Sequence, residues 1–380
     1  MTEGVSAPKL RLVGSVSAAL FSLPMEEWQK RAWGKQNVSD QNTGSSTLIV
    51  GSEWVLSPSL ASALARSPGA ALLVARDDTH EAVVAGLHAR SGDDVAALAD
   101  VVASHAPDID ALKSLGYVVG GPEDHAGSYN EALRKKEVPY ALSTVTTSPR
   151  DIEKRLFAGS YKGATDLVTK YVWPVPALFV TRLCAAARLT PNMVTTASLL
   201  FMFLALWFFW EAWWVAGFAC GWLMTFLDTV DGKLARTTMT YSKWGNVYDH
   251  GIDLIHPPFW YVAWYFGVLS VVSEPPTWLF PALIVILAGY LAGRLLEGLF
   301  ILRNGFEGHV WKPIDSFVRE IIARRNPNML IFMAFTLAGR PDLGLGAVAI
   351  WTLLSTAFQA IRLLQSLSVA KADMSSWLKA

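Results

Sequence analysis

Asp228-Thr-Val-Asp231-Gly232-Lys-Leu-Ala235-Arg236 is followed, after eight residues, by Gly245-Asn-Val-Tyr-Asp249-His-Gly-Ile-Asp253. Both halves lie among apolar segments long enough to cross a bilayer, where a carboxylate is expensive unless something compensates it. Helical spacing of three and four puts Asp228, Asp231, Gly232, Ala235 and Arg236 on one face, and Gly245, Asp249 and Asp253 on one face of the next helix. Two acid-bearing faces can then meet. Four carboxylates closing on a small space repel one another, and one or two hard divalent cations, Mg²⁺ or Mn²⁺, are the simplest remedy. Gly232 and Gly245 leave space for a flat ligand, Ala235 suits the same crowded face, and Arg236 offers a fork for a phosphate. The plainer alternative is a bundle whose acids and arginines pair internally and do no chemistry.

The stretch has the form D-x2-D-G-x2-A-R-x8-G-x3-D-x3-D, with all eight specified positions present, and it closely resembles the signature of the CDP-alcohol phosphotransferase family. The resemblance is confined to the C-terminal part of the chain, from near Thr190-Pro191-Asn192 onward. It implies a polytopic membrane enzyme, a homodimer through its membrane helices, that moves a phospho-alcohol from a CDP-linked donor to an acceptor hydroxyl and releases CMP. By the same resemblance Asp228, Asp231 and Asp249 are metal ligands, and Asp253 is the catalytic base and touches a second ion. Asp228, Gly232, Ala235, Arg236 and Gly245 meet the CDP donor, Arg236 through phosphate. Attack of an alcohol on a diphosphate needs charge neutralisation, an in-line attacker and a proton acceptor, which agrees with that division. His250 is expected to point away from the acids and His256 precedes Pro257-Pro258, so both are given structural roles.

Composition divides the chain. Its 380 residues carry zero formal net charge and are 52% hydrophobic, with the apolar content concentrated after about residue 172. Nothing in that balance points to nucleic acid. Cys184 and Cys220, both in apolar helical segments, offer no disulfide framework. Spans are expected at 193–211, 213–235, 246–272, 277–302, 327–340 and 343–364, about six transmembrane helices in an all-α membrane domain over 189–380. With both ends of that unit on one side, Lys170, Arg182, Arg188, Arg236, Lys243, Arg303, Lys312, Arg319, Arg324, Arg325 and Lys371 share a side, against Arg340 opposite. The positive-inside rule makes the rich side cytoplasmic, and with it the acids and the N-terminal domain, in a plasma (inner) membrane protein.

Residues 1–149 read as a soluble α/β domain, Rossmann-like and with largely parallel strands. Apolar runs at Leu10–Val13, Thr47–Val50, Ala71–Val74 and Tyr117–Val119 alternate with helical patterns at Ser57–Arg66, Glu81–Arg90 and Asp94–Ser104. Family members occur fused to nucleotidyltransferase domains, and the placement here is similar. A working domain of that type carries a Gly-rich Leu-x-Gly-Gly-x-Gly-Thr-Arg loop, whereas this chain has Leu12-Val13-Gly14-Ser15-Val16-Ser17, so a degenerate, non-catalytic relative is expected. Residues 150–188 then form a linker, interrupted at Trp173-Pro174-Val175-Pro176, and an interfacial helix near Ala177–Arg188 in contact with membrane lipids.

Two further features leave alternatives open. Arg294 and Glu297 form either a mutual ion pair or an acceptor contact. Lys312, Arg319, Arg324 and Arg325 bind either an anionic, phosphorylated acceptor or lipid headgroups. The donor is CDP-diacylglycerol or a CDP-polyol. Beside phosphotransfer stand a bifunctional enzyme that makes its own CDP-polyol, a cation-coupled transporter and a non-catalytic scaffold.

Overall fold

The computed structural model describes residues 7–42, 44–75, 82–130 and 133–379. The chain divides into two compact units, one of Met1–Tyr161 with Ala185–Arg188 and Ala235–Thr240, the other of Lys162–Cys184, Leu189–Leu234 and Tyr241–Ala380.

In the first unit a five-stranded sheet is built from β1 (Lys9–Val13), β2 (Thr47–Gly51), β3 (Ala70–Ala75), β4 (Ala82–Ala89) and β5 (Val118–Gly120), in the order β1-β2-β4-β3-β5. Strand β4 runs antiparallel to both neighbours, while β1 with β2 and β3 with β5 are parallel pairs. The expectation of a largely parallel sheet is therefore corrected to a mixed one. The helix expected at Glu81–Arg90 is corrected too: Ala82–Ala89 is the central strand β4, and Glu81 lies outside the described residues. Both faces of β4 are covered and both edges paired, so its residues are apolar but for the buried His88 and show no clean period of two.

Side chains alternate across this sheet. Leu48 and Val50 enter one core with Trp33, Leu60 and Leu64, whereas Ile49 enters another with Leu87, Leu98 and Tyr117. Helix α1 (Met25–Gly34) supplies Trp33, and α2 (Pro58–Arg66) is started by Ser57, whose Oγ accepts from the Leu60 amide at 3.4 Å. Helix α3 (Val95–Ala103) covers the opposite face, and α4 (Pro149–Gly159) closes the unit.

The second unit is helical. A π-turn at Val168–Val172 precedes α5 (Pro174–Ala186). Pro174 and Pro176 occupy the first turn of α5, where no amide is needed, so they begin this helix and it starts ahead of Ala177. Then follow α6 (Pro191–Trp210), α7 (Trp214–Thr237), α8 (Lys243–Val271), α9 (Leu279–Asn304), α10 (Pro313–Ile321), α11 (Arg325–Leu337) and α12 (Pro341–Leu367).

Helices thus form at all six expected span positions, but three of them, α6, α9 and α12, are long and apolar enough to cross a membrane by length and composition. The acids lower the hydropathy of α7 and α8. Helix α11 has 13 residues, about 20 Å at 1.5 Å per residue, short of a roughly 30 Å hydrocarbon core.

Aromatic side chains hold the bundle core, with Trp264 stacked on Phe332 at 4.4 Å and Phe209 edge-on to Trp260 at 5.7 Å. Gly267 is obligatory there. A Cβ would stand 2.1 Å from the Phe209 carbonyl oxygen, so only glycine lets α8 close on the end of α6.

Candidate active site

Three carboxylates converge from two helices. Asp228 comes from α7, and Asp249 and Asp253, one turn apart, from α8. Each offers an oxygen within 4.8 Å of the other two. The start of α8 is set by Ser242, whose Oγ accepts from the Gly245 amide at 3.0 Å. At Gly245 a Cβ would lie 3.1 Å from Asn192 Oδ1 and from Ser242 Oγ, so the position has little space for a side chain.

Like charges this close need a counter-charge. Arg325, the first residue of α11, donates from Nη2 to Asp228 Oδ2 at 2.7 Å and from Nη1 to Asp253 Oδ1 at 2.6 Å. The helices α7, α8 and α11 are clamped together by that one guanidinium. Asp231 faces elsewhere in part: it is buried, and its Oδ2 accepts from Thr195 Oγ1 at 2.5 Å, outside the close trio. An all-oxygen set of carboxylates from two rigid helices suits a hard divalent cation such as Mg²⁺ or Mn²⁺ better than a soft one.

The two histidines divide. His256 is buried, its Nδ1 2.7 Å from the Ile252 carbonyl and its ring edge-on to Trp260, a packing role. His250 does not turn away from the acids as expected, since its Nδ1 lies 3.5 Å from Asp249 Oδ2. Adjacent positions on a helix diverge by about 100°, but an imidazole is long enough to swing back.

Of the five candidate acceptor residues, the structure brings together three and separates two. Arg294 Nη1 is 3.0 Å from Glu297 Oε2, Arg324 also donates to Glu297, and Gln359 Nε2 reaches its Oε1 at 3.2 Å. Arg319 adjoins Glu297 in lining a cavity of about 50 Å³ with His309, Asp315, Gln359 and Arg362. Its buried Nε and Nη1 have no hydrogen-bond partner among the described residues. Burial, and then the nearby Arg324 charge, push the Arg319 pKa down to about 9, which leaves it cationic at neutral pH. Lys312 is exposed, with its ammonium 5.0 Å from the Trp311 ring centre, and Arg325 belongs to the acid site.

Ala235 and Arg236 lie in the last turn of α7, within the first compact unit, and Arg236 Nε donates to the Ser160 carbonyl at 3.0 Å. Gly232 is half-buried one turn earlier. Asp166 was not singled out by its sequence. Its Oδ1 accepts from Asn326 Nδ2 at 2.9 Å and its Oδ2 from Thr169 Oγ1 at 2.7 Å. Burial raises its pKa, but the hydrogen bonds from Asn326 and Thr169 outweigh burial and hold it below the usual carboxylate value. The Asp166-to-Thr169 spacing is a cap signal that could have drawn attention to it.

Among curated proteins, none matches the chain. Residues 188–359 match the CDP-alcohol phosphatidyltransferase family model, a stretch that contains the whole acidic motif and all three converging carboxylates, and the match supports that family and phosphotransfer from a CDP-alcohol.

Proposed function

We propose that this chain is a membrane-embedded CDP-alcohol phosphotransferase that depends on Mg²⁺ or Mn²⁺ and works from the cytoplasmic face of a six-span domain. The observation that carries this reading is the trio Asp228, Asp249 and Asp253, with oxygens within 4.8 Å, inside the segment that matches the family. Bound divalent ions would neutralise the diphosphate and the leaving CMP. On this reading Asp228 and Asp249 hold them, joined by Asp231 once its carboxylate turns from Thr195 Oγ1, and Asp253 takes the proton of the acceptor hydroxyl. Its side chain is 43% exposed, against 17% for Asp228, so of the two it is the one an incoming alcohol can reach. That alcohol competes with Arg325 for the same carboxylate. Gly232, Ala235 and Gly245 line the cytidine site, with Arg236 on donor phosphate.

The arginine cluster favours an acceptor with an anionic group. Arg294 and Arg324 pair with one carboxylate, Glu297, and Arg319, whose Nε and Nη1 have no hydrogen-bond partner among the described residues, lines the adjoining cavity. A phosphate there would complete the charge balance. CDP-diacylglycerol and a CDP-polyol both fit as donor, and a homodimer in the plasma (inner) membrane agrees with the family.

The test is CMP release by the purified full-length chain, supplied with CDP-diacylglycerol or a CDP-polyol, an alcohol or phospho-alcohol acceptor, and Mg²⁺ or Mn²⁺. Release that needs both acceptor and divalent ion supports the reading. Absence of release with every donor, accompanied by cation flux in proteoliposomes, would favour a transporter instead.

A further inference from the structure

The last turn of α7 ends without the intrahelical donors that its final carbonyls need. One is supplied locally: Met239, at φ 55°, turns the chain so that the Thr240 amide donates to the Ala235 carbonyl at 2.9 Å. Two more, for Thr237 and for Thr238 just past the helix end, come from α1, some two hundred residues away in sequence. Trp28 Nε1 donates to the Thr237 carbonyl at 2.8 Å, and Arg31 Nη1 reaches the Thr238 carbonyl at 3.5 Å. Trp28 is 2% exposed and Thr237 1%, so the first bond is made out of water. On another side, α4 is followed by Ser160, whose carbonyl accepts from Arg236 Nε and whose Oγ is tied back to the Phe157 carbonyl at 2.6 Å.

We infer that Trp28 and Arg31 are positioning residues for phosphotransfer: the N-terminal domain caps the motif helix and so fixes Ala235 and Arg236. This inference rests on the proposed function for its consequence, but not for the cap itself. Ala235 and Arg236 occupy the one turn of the motif helix that would fray without external donors, and Arg236 is the motif's phosphate-binding cation. A frayed last turn would spread its guanidinium over many rotamers, which costs donor affinity through lost preorganisation. The soluble domain would then serve catalysis with no chemistry of its own.

A buried tryptophan also packs, so the test must separate capping from stability. Trp33 provides the comparison. It lies on the same helix, is 3% exposed, and packs into the sheet core with Leu48 and Val50. Full-length wild type, Trp28→Phe, Trp33→Phe and Arg31→Ala would be compared by hydrogen exchange of the amides over 234–240 and by titration with CDP, the portion common to all donors of the class, in the presence of Mn²⁺. Trp28→Phe keeps most of the ring but loses the donor. It should speed exchange over 234–240 at least about tenfold and weaken CDP binding about fivefold to tenfold. Arg31→Ala should move both in the same direction by about twofold, because its bond is long and more exposed. Trp33→Phe should leave both within about twofold of wild type.

Equal effects from Trp28→Phe and Trp33→Phe would overturn the positioning role, and so would faster exchange with unchanged CDP affinity. Unchanged exchange in Trp28→Phe would overturn the cap. A wild-type chain that fails to bind CDP would instead overturn the phosphotransfer reading and remove the catalytic consequence, while the exchange data still judge the cap.

Discussion

The acid-bearing helices and the N-terminal sheet present opposite problems of inference. In α7 and α8 a few polar residues stand in an apolar setting where each is costly, so their period of three and four is conspicuous and points to a shared face. In the sheet, β4 is apolar on both faces apart from the buried His88, and its period is hidden. Costly residues in a hostile setting are therefore informative, whereas cheap residues in a favourable one are not. The same contrast predicts where chemistry resides: in the carboxylates of the helical unit, with the sheet in a supporting part.

The largest expected effect breaks or upholds the first half of that contrast. Asp228→Asn or Asp249→Asn should each lower CMP release at least about a hundredfold, and excess EDTA should do the same to wild type, because each removes charge that a diphosphate transfer requires. Full activity in EDTA would end the metal hypothesis and leave the trio as a structural cluster held by Arg325.

Asp253→Asn tests whether two acids on one helix have different tasks. Transfer should be lost to a similar degree, yet CDP binding with Mn²⁺ should stay within about threefold of wild type, since the missing function is proton removal. A loss of binding that matches the loss of turnover would make Asp253 chiefly an ion ligand.

The faces of the motif helices were legible because residues three and four apart need only local geometry to be aligned. Its partners were not. Thr195 meets Asp231 across 36 residues, Arg325 meets Asp228 across 97, and Asn326 meets Asp166 across 160, and no local period encodes such pairings. Arg325 is legible as a cation beside apolar sequence, to be met by an acceptor or by lipid headgroups, since nothing in its neighbours reveals that it folds back on the acids. In the N-terminal region the positions of β1, β2, β3 and β5 were legible from short apolar runs. Strand β4 was not, neither as a strand, since burial on both faces hides its period and the segment reads as a helix, nor in direction, since polarity is fixed by connections in space.

Arg325→Gln should have an intermediate effect. The guanidinium offsets two carboxylates, partly screened by the 43% exposure of Asp253, so its loss should cost about 1–3 kcal/mol in metal-free buffer. Added Mn²⁺ takes over that charge balance. Thermal unfolding should therefore show a larger Mn²⁺-dependent rise in Tm for the variant than for wild type. Equal rises would mean that the ion and Arg325 act on separate groups, and the acids would no longer form one electrostatic unit.

The smallest expected effect lies in the sheet-bearing unit, where none at all is the prediction. The turn after β1, Gly14-Ser15-Val16-Ser17, has a single glycine, at φ 79°, where cradling a triphosphate calls for several amides freed by glycines. Incubation of the full-length chain with CTP and a sugar or polyol phosphate should release pyrophosphate no faster than a blank, under conditions in which CMP release from a supplied CDP-alcohol is robust. Pyrophosphate above the blank would break the contrast outright. It would give both units chemistry, and would shift the donor towards a CDP-polyol made by the same chain, because a nucleotidyltransferase fused to a phosphotransferase raises the local concentration of the intermediate that the second site consumes.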